Sequence, residues 1–449
     1  MTEKKKDDQS LPAPWALAMS VLGMLALGVL IGSVTQHYSK NAGFATVLLE
    51  SAAQPPAETS APVSGGGEPT AVASSGGEPE ATAIPSTAAT EAPLVEEPLP
   101  GAPKPEVPLV EEELPTGLPE VKHVFVVMLR QGGFEETFGE TAGSAFLSKE
   151  LPEQGELLTN YFAVTKGALA NQIALLSGQG PTPETAANCP TYADVSPGAE
   201  SAEGQVEGSG CVYPATTKTL PGQLTEAGLK WEAYVQGIED GAAAGQPAAC
   251  RHPAPGTPDP NQTPTPTDAY ATWSNPFVYF HSIVDAPECA AANVGLPQLT
   301  IDLKLKSDQF PAFAYIAPDE AQLEPLIGEI KESLAYKDGG LIAITSAQAP
   351  QEGENPDESG CCIDPAFPNL PSAGNPAPPT GPVHETGGGG RVGLLLLSPF
   401  VEPGTTSETY FNHFSLLATI EELFELERIG YAAEPALTGF DESIFNAGS

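Results

Sequence analysis

The stretch KHVFVVMLRQGGFEETFG, Lys122 to Gly139, decides the fold. HVFVVML, His123 to Leu129, is a continuous apolar run rich in valine. It is too short for a core helix and lacks the alternation of a half-exposed strand, so it reads as a strand buried on both faces. Outward from it, the same grammar repeats: SAFLSKELPEQG (Ser144 to Gly155) and ALANQIALLSG (Ala168 to Gly178) as helices, the second stopping at a glycine. WEAYV at Trp231, FAYIA at Phe313, GLIAITS at Gly340 and VGLLLLS at Val392 are further apolar strands. A helix is expected from about Glu320 to Leu334, and NHFSLLATIEELFEL (Asn412 to Leu426) is a last amphipathic helix. Strands separated by helices, without tight hairpins, predict an α/β domain with a mainly parallel sheet covered by helices on both faces.

That pattern begins only at about residue 121. The 449 residues carry 46 glycines and 48 prolines, about a fifth of the chain, so part of it is expected to be linker instead of core. Residues 35–120 hold most of that excess in an Ala/Pro/Glu-rich tract, with GGEP at Gly66 and Gly76 and PLVEE at Pro93 and Pro108. With no helical or strand period and with mutually repelling carboxylates, it reads as a disordered, extended acidic stalk. Ahead of it, WALAMSVLGMLALGVLIGSV (Trp15 to Val34) is uncharged and apolar, and at ~1.5 Å per residue it spans a bilayer core. It is longer than the apolar core of a cleaved signal peptide, which predicts an uncleaved signal-anchor helix. Lys4, Lys5 and Lys6 precede it. The positive-inside bias therefore puts residues 1–14 in the cytoplasm and residues 121–449 outside, at a single-pass cell-membrane location.

The formal net charge of −40 excludes nucleic-acid binding by general electrostatics, since a polyanion is repelled before specific contact. Six cysteines all lie in the outer domain, where disulfides form. Sequence order favours Cys189 with Cys211 and Cys250 with Cys289, leaving Cys361 and Cys362 as a vicinal pair, one of several connectivities that six cysteines allow. A zinc site is disfavoured, because no pair has the spacing of a zinc knuckle.

In an open parallel sheet the reactive groups lie past the carboxyl ends of strands, here the loops after Leu129, Val164, Ser346 and Ser398. At these ends the chain resembles the bacterial phosphoesterase family of acid phosphatases and phospholipases C, within the alkaline-phosphatase-like superfamily. The resemblance rests on Lys122 to Gly139, NYFAVTKGALANQIALLSGQGP (Asn160 to Pro181), DGGLIAIT (Asp338 to Thr345), and RVGLLLLSPFVEPG followed by NHFSLLATIEELFEL. It implies an alkaline-phosphatase-like fold and metal-dependent hydrolysis of phosphoric esters. It also implies a metal-binding Glu-Asn pair after the first strand, where this chain has Arg130 and Gln131. A hydroxyl nucleophile is implied at the start of the next helix, where Thr165, Lys166 and Gly167 lead to Ala168. An acidic pair is implied after the later strand, where Ser346, Ala347 and Gln348 stand.

Three losses at three strand ends, with the apolar blocks intact, predict a degenerate site. The expectation is a pseudoenzyme that binds an anionic or phosphorylated ligand or an envelope protein and needs no cofactor. The residual polar pocket is then Arg130, Thr165, Lys166, Asn171 and His384, with Asn412 and His413 as further polar groups and Arg130 needing an acidic partner or an open cleft. A competing expectation is an active hydrolase using Thr165 as nucleophile, with Asp319, Glu320, His384 and Glu385 holding divalent metal. A third is an inert surface module.

The remaining histidines, His123, His252 and His281, read as structural, and the Asn261 sequon matters only in a glycosylating host, whereas the composition fits a bacterium. Gly387 to Gly390 precedes a strand, so it lacks the context of a phosphate-cradling loop. The acidic residues between Glu421 and Glu427 read as a solvated helix face.

Overall fold

His123–Leu129 is buried along its whole length, and this strand, β1, is the centre of the sheet. The computed structural model describes residues 117–240, 248–353, 355–363, 367–370 and 383–447, all within one unit, Glu106–Ser449. The expected cytoplasmic tail, transmembrane helix and nearly all of the expected stalk lie outside the described residues. Among those described, no helix is long and apolar enough to cross a membrane.

The remaining strands of the main sheet are β2 (Glu156–Leu158), β3 (Trp231–Val235), β4 (Asn293–Gly295), β5 (Phe313–Ala317), β6 (Gly340–Ser346), β7 (Leu394–Leu397) and β8 (Thr405–Ser407). Their order is β8-β2-β7-β6-β1-β5-β3-β4. Strands β4, β3, β5, β1 and β6 are mutually parallel, with Val124 beside Phe313 and Leu341. Only β7 runs the other way, antiparallel to both β6 and β2.

The period of two divides the side chains between two cores. Val124, Val126, Phe313, Tyr315, Leu394 and Leu396 face helices α1 (Ala168–Ser177) and α3 (His413–Leu423), which pack together. Phe125, Val127, Ile316, Ile342, Ile344 and Leu395 face α2 (Leu323–Glu332), whose Leu323, Leu326, Ile327 and Ile330 recur at helical spacing. Each such side chain contributes about 1.5–3 kcal/mol relative to exposure. The helix-covered, mainly parallel sheet is therefore the expected one.

Three local expectations are corrected. Tyr161–Phe162 pairs with Phe411–Asn412 in a separate two-stranded sheet, so the chain before Val164 is not a main-sheet strand. Because β7 is antiparallel, Ser398 lies at the opposite edge, bonded to the Gly340 carbonyl, and Arg391 stands at the edge where the parallel strands end. Glu421 is fully buried rather than solvated: its Oε1 accepts from the Ile429 N–H at 3.2 Å, and burial pushes its pKa up to about 9. The three disulfides are Cys189–Cys211, Cys250–Cys289 and Cys361–Cys362, the pairing that sequence order favours.

Candidate functional site

Strand β1 ends directly into Arg130, and β5 into Pro318 and Asp319 on the neighbouring strand. Arg130 Nη1 lies 3.5 Å from Asp319 Oδ1, and its Nη2 donates to the Ala269 carbonyl at 2.9 Å. Burial lowers the pKa of Arg130, and Asp319 opposes that shift. Ala269 is held in turn by its neighbour Asp268, which takes Arg251 in a two-pronged pair at 3.1 and 2.7 Å, and by Asp240, whose Oδ2 accepts the Ala269 N–H at 3.2 Å. The guanidinium is thus fixed on one side by a built loop. On the other it meets a single carboxylate at the long end of ion-pair range. Gln131 is exposed.

The loops after β1 and β6 join through the Gly132 N–H and the Gln348 carbonyl, 3.0 Å apart. The Gln348 side chain reaches the start of α1, where Oε1 accepts the Gly167 N–H at 2.8 Å, and Asn188 Oδ1 accepts the Leu169 N–H at 3.0 Å. Helix N-termini leave such donors free for an anion. Here neutral amide oxygens take two of them, and Ala168 presents a buried methyl at the first helical position. Gly167, at φ +94°, makes the sharp entry, and a Cβ there would lie 2.5 Å from the Ala186 carbonyl oxygen.

Thr165 and Asn171 are both buried, and Asn171 spends its amide on the chain around it. Its Oδ1 accepts from Val164 N and Thr165 N at 2.9 and 3.0 Å, and its Nδ2 donates to the Thr165 and Gly167 carbonyls. Lys166 pairs with Glu358. Asn412 caps α3 through Ser415 and donates to the Cys361 carbonyl at 3.0 Å. His413 is fully buried between the Tyr161 hydroxyl, 2.9 Å from Nδ1, and the Ala347 carbonyl, 3.3 Å from Nε2. Burial pushes its pKa down to about 4, so it is neutral near pH 7 and ties α3 to the end of β6.

A glycine strap covers this edge. The N–H groups of Gly388, Gly389 and Gly390 donate to the carbonyls of Glu358, Ala163 and Ser359, and the Gly389 carbonyl receives Ala349 N. A Cβ on Gly389 would sit 2.3 Å from the Thr165 carbonyl oxygen, so the run allows backbone to lie on backbone. His384 stands on the short pairing of Val383–His384 with Gly360–Cys361 beside the strap, its Nδ1 2.9 Å from the Thr386 carbonyl. Arg391, which sequence reasoning missed, follows the strap. It pairs with Glu135 at 3.0 Å and lies 4.4 Å over the Phe134 ring.

Arg130, Ala168, Ala347 and Gln348 therefore gather at one sheet edge, where Arg130, Lys166 and Arg391 each carry their own carboxylate. The donors do not fit a divalent cation, which needs several convergent carboxylates or imidazoles. Asp319, Glu358 and Glu135 are committed to three separate cations, and His413 is enclosed. Among the described residues no group of three or more His, Cys, Asp and Glu could hold a metal. Asp319, Glu320, His384 and Glu385 form no such group. Outside this edge, His123 bonds to Pro311 and Ser307, His252 stacks on Tyr192, and His281 bridges Asp194 and Asp285. Asn261 Nδ2 donates to Asp268.

No curated protein matches the chain significantly. Solved structures that are similar include a Bacteroides thetaiotaomicron protein from a locus that orchestrates metabolism of multiple glycosaminoglycans, 15% identical, covering 73% of this chain and 82% of that chain with a TM-score of 0.41. A Vibrio parahaemolyticus protein in the alkaline phosphatase superfamily is 10% identical over 71% of each chain, TM-score 0.38. A phosphonate monoester hydrolase from Silicibacter pomeroyi is 13% identical over 73% of this chain and 77% of that chain, TM-score 0.34. The Phosphoesterase family model matches residues 141–427, more than half of the chain and starting beyond β1, so this protein belongs to the Phosphoesterase family.

Proposed function

We propose that this is a catalytically silent Phosphoesterase domain, carried outside the cytoplasm on an N-terminal membrane anchor and acidic stalk, that acts by binding. The observation that carries the reading is the occupation of the α1 N-terminus by the Gln348 and Asn188 amide oxygens, above a buried alanine methyl. Hydroxyl attack on a phosphoryl group requires a nucleophile at that place and cations to neutralise the developing charge. At that place this edge offers a methyl, with amides and already paired arginine around it, and the neighbouring Thr165 and Ser346 side chains are buried.

Binding at the same edge falls to Arg130. Its partner Asp319 has a side chain 41% exposed and stands 3.5 Å away, so an anionic or phosphorylated ligand can exchange with that carboxylate while Ala269 keeps the guanidinium in place. Lys166 and Arg391 stay with Glu358 and Glu135 and set the rim.

Titration calorimetry of the full chain with inorganic phosphate tests this role. Weak binding is expected for the wild type, several-fold tighter binding for Asp319→Ala, where the competing carboxylate is gone, and none for Arg130→Ala. Equal affinity in all three proteins removes Arg130 from the account.

A further inference from the structure

The three disulfides divide into two kinds. Cys189–Cys211 and Cys250–Cys289 close segments of 22 and 39 residues, whereas Cys361 and Cys362 are neighbours. Loop-closure stabilisation grows with the length of chain enclosed, so a bond between adjacent residues restrains the unfolded chain least. Its effect is confined to its own backbone, where Cys362 sits at φ +87°, a region that residues with a Cβ avoid.

That backbone is where the strap is fastened. Gly360–Cys361 pairs with Val383–His384, and the preceding Glu358 and Ser359 carbonyls receive the Gly388 and Gly390 N–H groups at 2.8 Å. Asp357 Oδ2 accepts the Arg391 N–H at 2.9 Å, and the Cys361 carbonyl accepts Asn412 Nδ2. The vicinal pair is thus in one short segment with every bond that pins the strap from this side. Cys362 is partly exposed and Cys361 is buried. An attacking thiolate therefore reaches the Cys362 sulfur, and the sulfur released is Cys361 Sγ. Once that sulfur is protonated, its S–H has an acceptor in place, the Phe411 carbonyl oxygen 3.3 Å away.

We propose that Cys361–Cys362 is a thiol–disulfide switch that sets how tightly the glycine strap is held over the carboxyl edge of the sheet. The co-reactant is a dithiol. Its first thiolate attacks Cys362 Sγ, breaks the Cys361–Cys362 bond and forms a mixed disulfide, leaving Cys361 as the thiolate, which is then protonated. Its second sulfur, as the thiolate, attacks the first within the mixed disulfide, releases Cys362 as a thiolate that is protonated in turn, and leaves the reductant oxidised to its own disulfide. Two electrons and two protons pass to the protein, and Cys362 is freed to leave the positive-φ region. The inference does not depend on whether the edge hydrolyses, binds or does neither.

Graded dithiothreitol applied to the native full chain, with alkylation and peptide mapping by mass spectrometry, tests the first half. Cys361 and Cys362 should be labelled on the order of ten-fold faster than the other four cysteines. Hydrogen exchange of the same samples tests the second half: amides of Gly388 to Arg391 should exchange several-fold faster once the pair is reduced, and reoxidation should restore protection. The Cys361→Ser, Cys362→Ser double variant should show the fast exchange without reductant. Labelling of all six cysteines in step, or strap exchange that is the same in both redox states, overturns the switch. Both readouts on wild-type protein stand even where the double variant does not fold.

Discussion

Strands β1 and β6 lie side by side in register from His123 with Gly340 to Leu129 with Ser346, and every one of their residues is buried. The segments that follow them differ completely. Arg130 is partly exposed and ion-paired, Gln131 is exposed, and Gln348 is drawn off to cap a helix. The strands obey one requirement, apolar side chains on both faces, which several residue types meet. Their ends would have to meet another to hydrolyse esters, namely carboxylates converging within a few ångströms, and here Asp319, Glu358 and Glu135 each sit against a separate cation. The scaffold and the groups at its strand ends thus depend on different residues, so the one can be kept while the other varies.

The strands should be the intolerant partner in this comparison. Ile344→Ala removes a fully buried side chain between β1 and β7 and should cost about 2–5 kcal/mol in denaturant unfolding. A loss below about 0.5 kcal/mol, typical of a surface change, would break the contrast between strand and strand end.

A buried carboxyl remote from the edge sharpens it further. The folded pKa of Glu421, about 9, is above its ordinary 4.5, so the folded state holds a proton that the unfolded chain releases. Its contribution is fully present below about pH 4.5 and is lost as pH rises toward 9. Glu232 and Glu156, both raised to about 7 by burial, act in the same direction over a narrower window. His413, lowered to about 4, acts oppositely: its contribution is present above pH 6.5 and lost as pH falls through 4. Glu421→Gln keeps an acceptor for the Ile429 N–H and removes the ionisation. Unfolding free energies at pH 5 and pH 8.5 should show the variant losing about 4 kcal/mol less than the wild type between them. Parallel curves would mean that Glu421 is ionised in the fold.

What the sequence made legible follows the same division. Long apolar runs such as His123–Leu129 and Gly340–Ser346 announce buried strands because the signal is local. The direction of β7 does not, since an apolar tetrad reads the same whether its neighbour runs with it or against it. That hid Arg391 at the edge and sent Ser398 to the wrong one. Strand β2, only Glu156–Leu158, is too short to show a period. Glu421 fits a polar flank by spacing, and only the chain returning through Ile429 covers it. At the site, Arg130, Ala168 and Gln348 were readable one by one, but not the amide of Gln348 on Gly167 or the strap laid over Thr165, because both join segments far apart in the chain.

The most direct test of the silent-domain account is turnover of a generic aryl phosphate by the purified full chain, with zinc, magnesium, manganese or calcium supplied and with a chelator as control. The account predicts release of the aryl alcohol at the rate of the protein-free blank under every condition. Turnover well above that blank, abolished by chelation and restored by one of the metals, would contradict it.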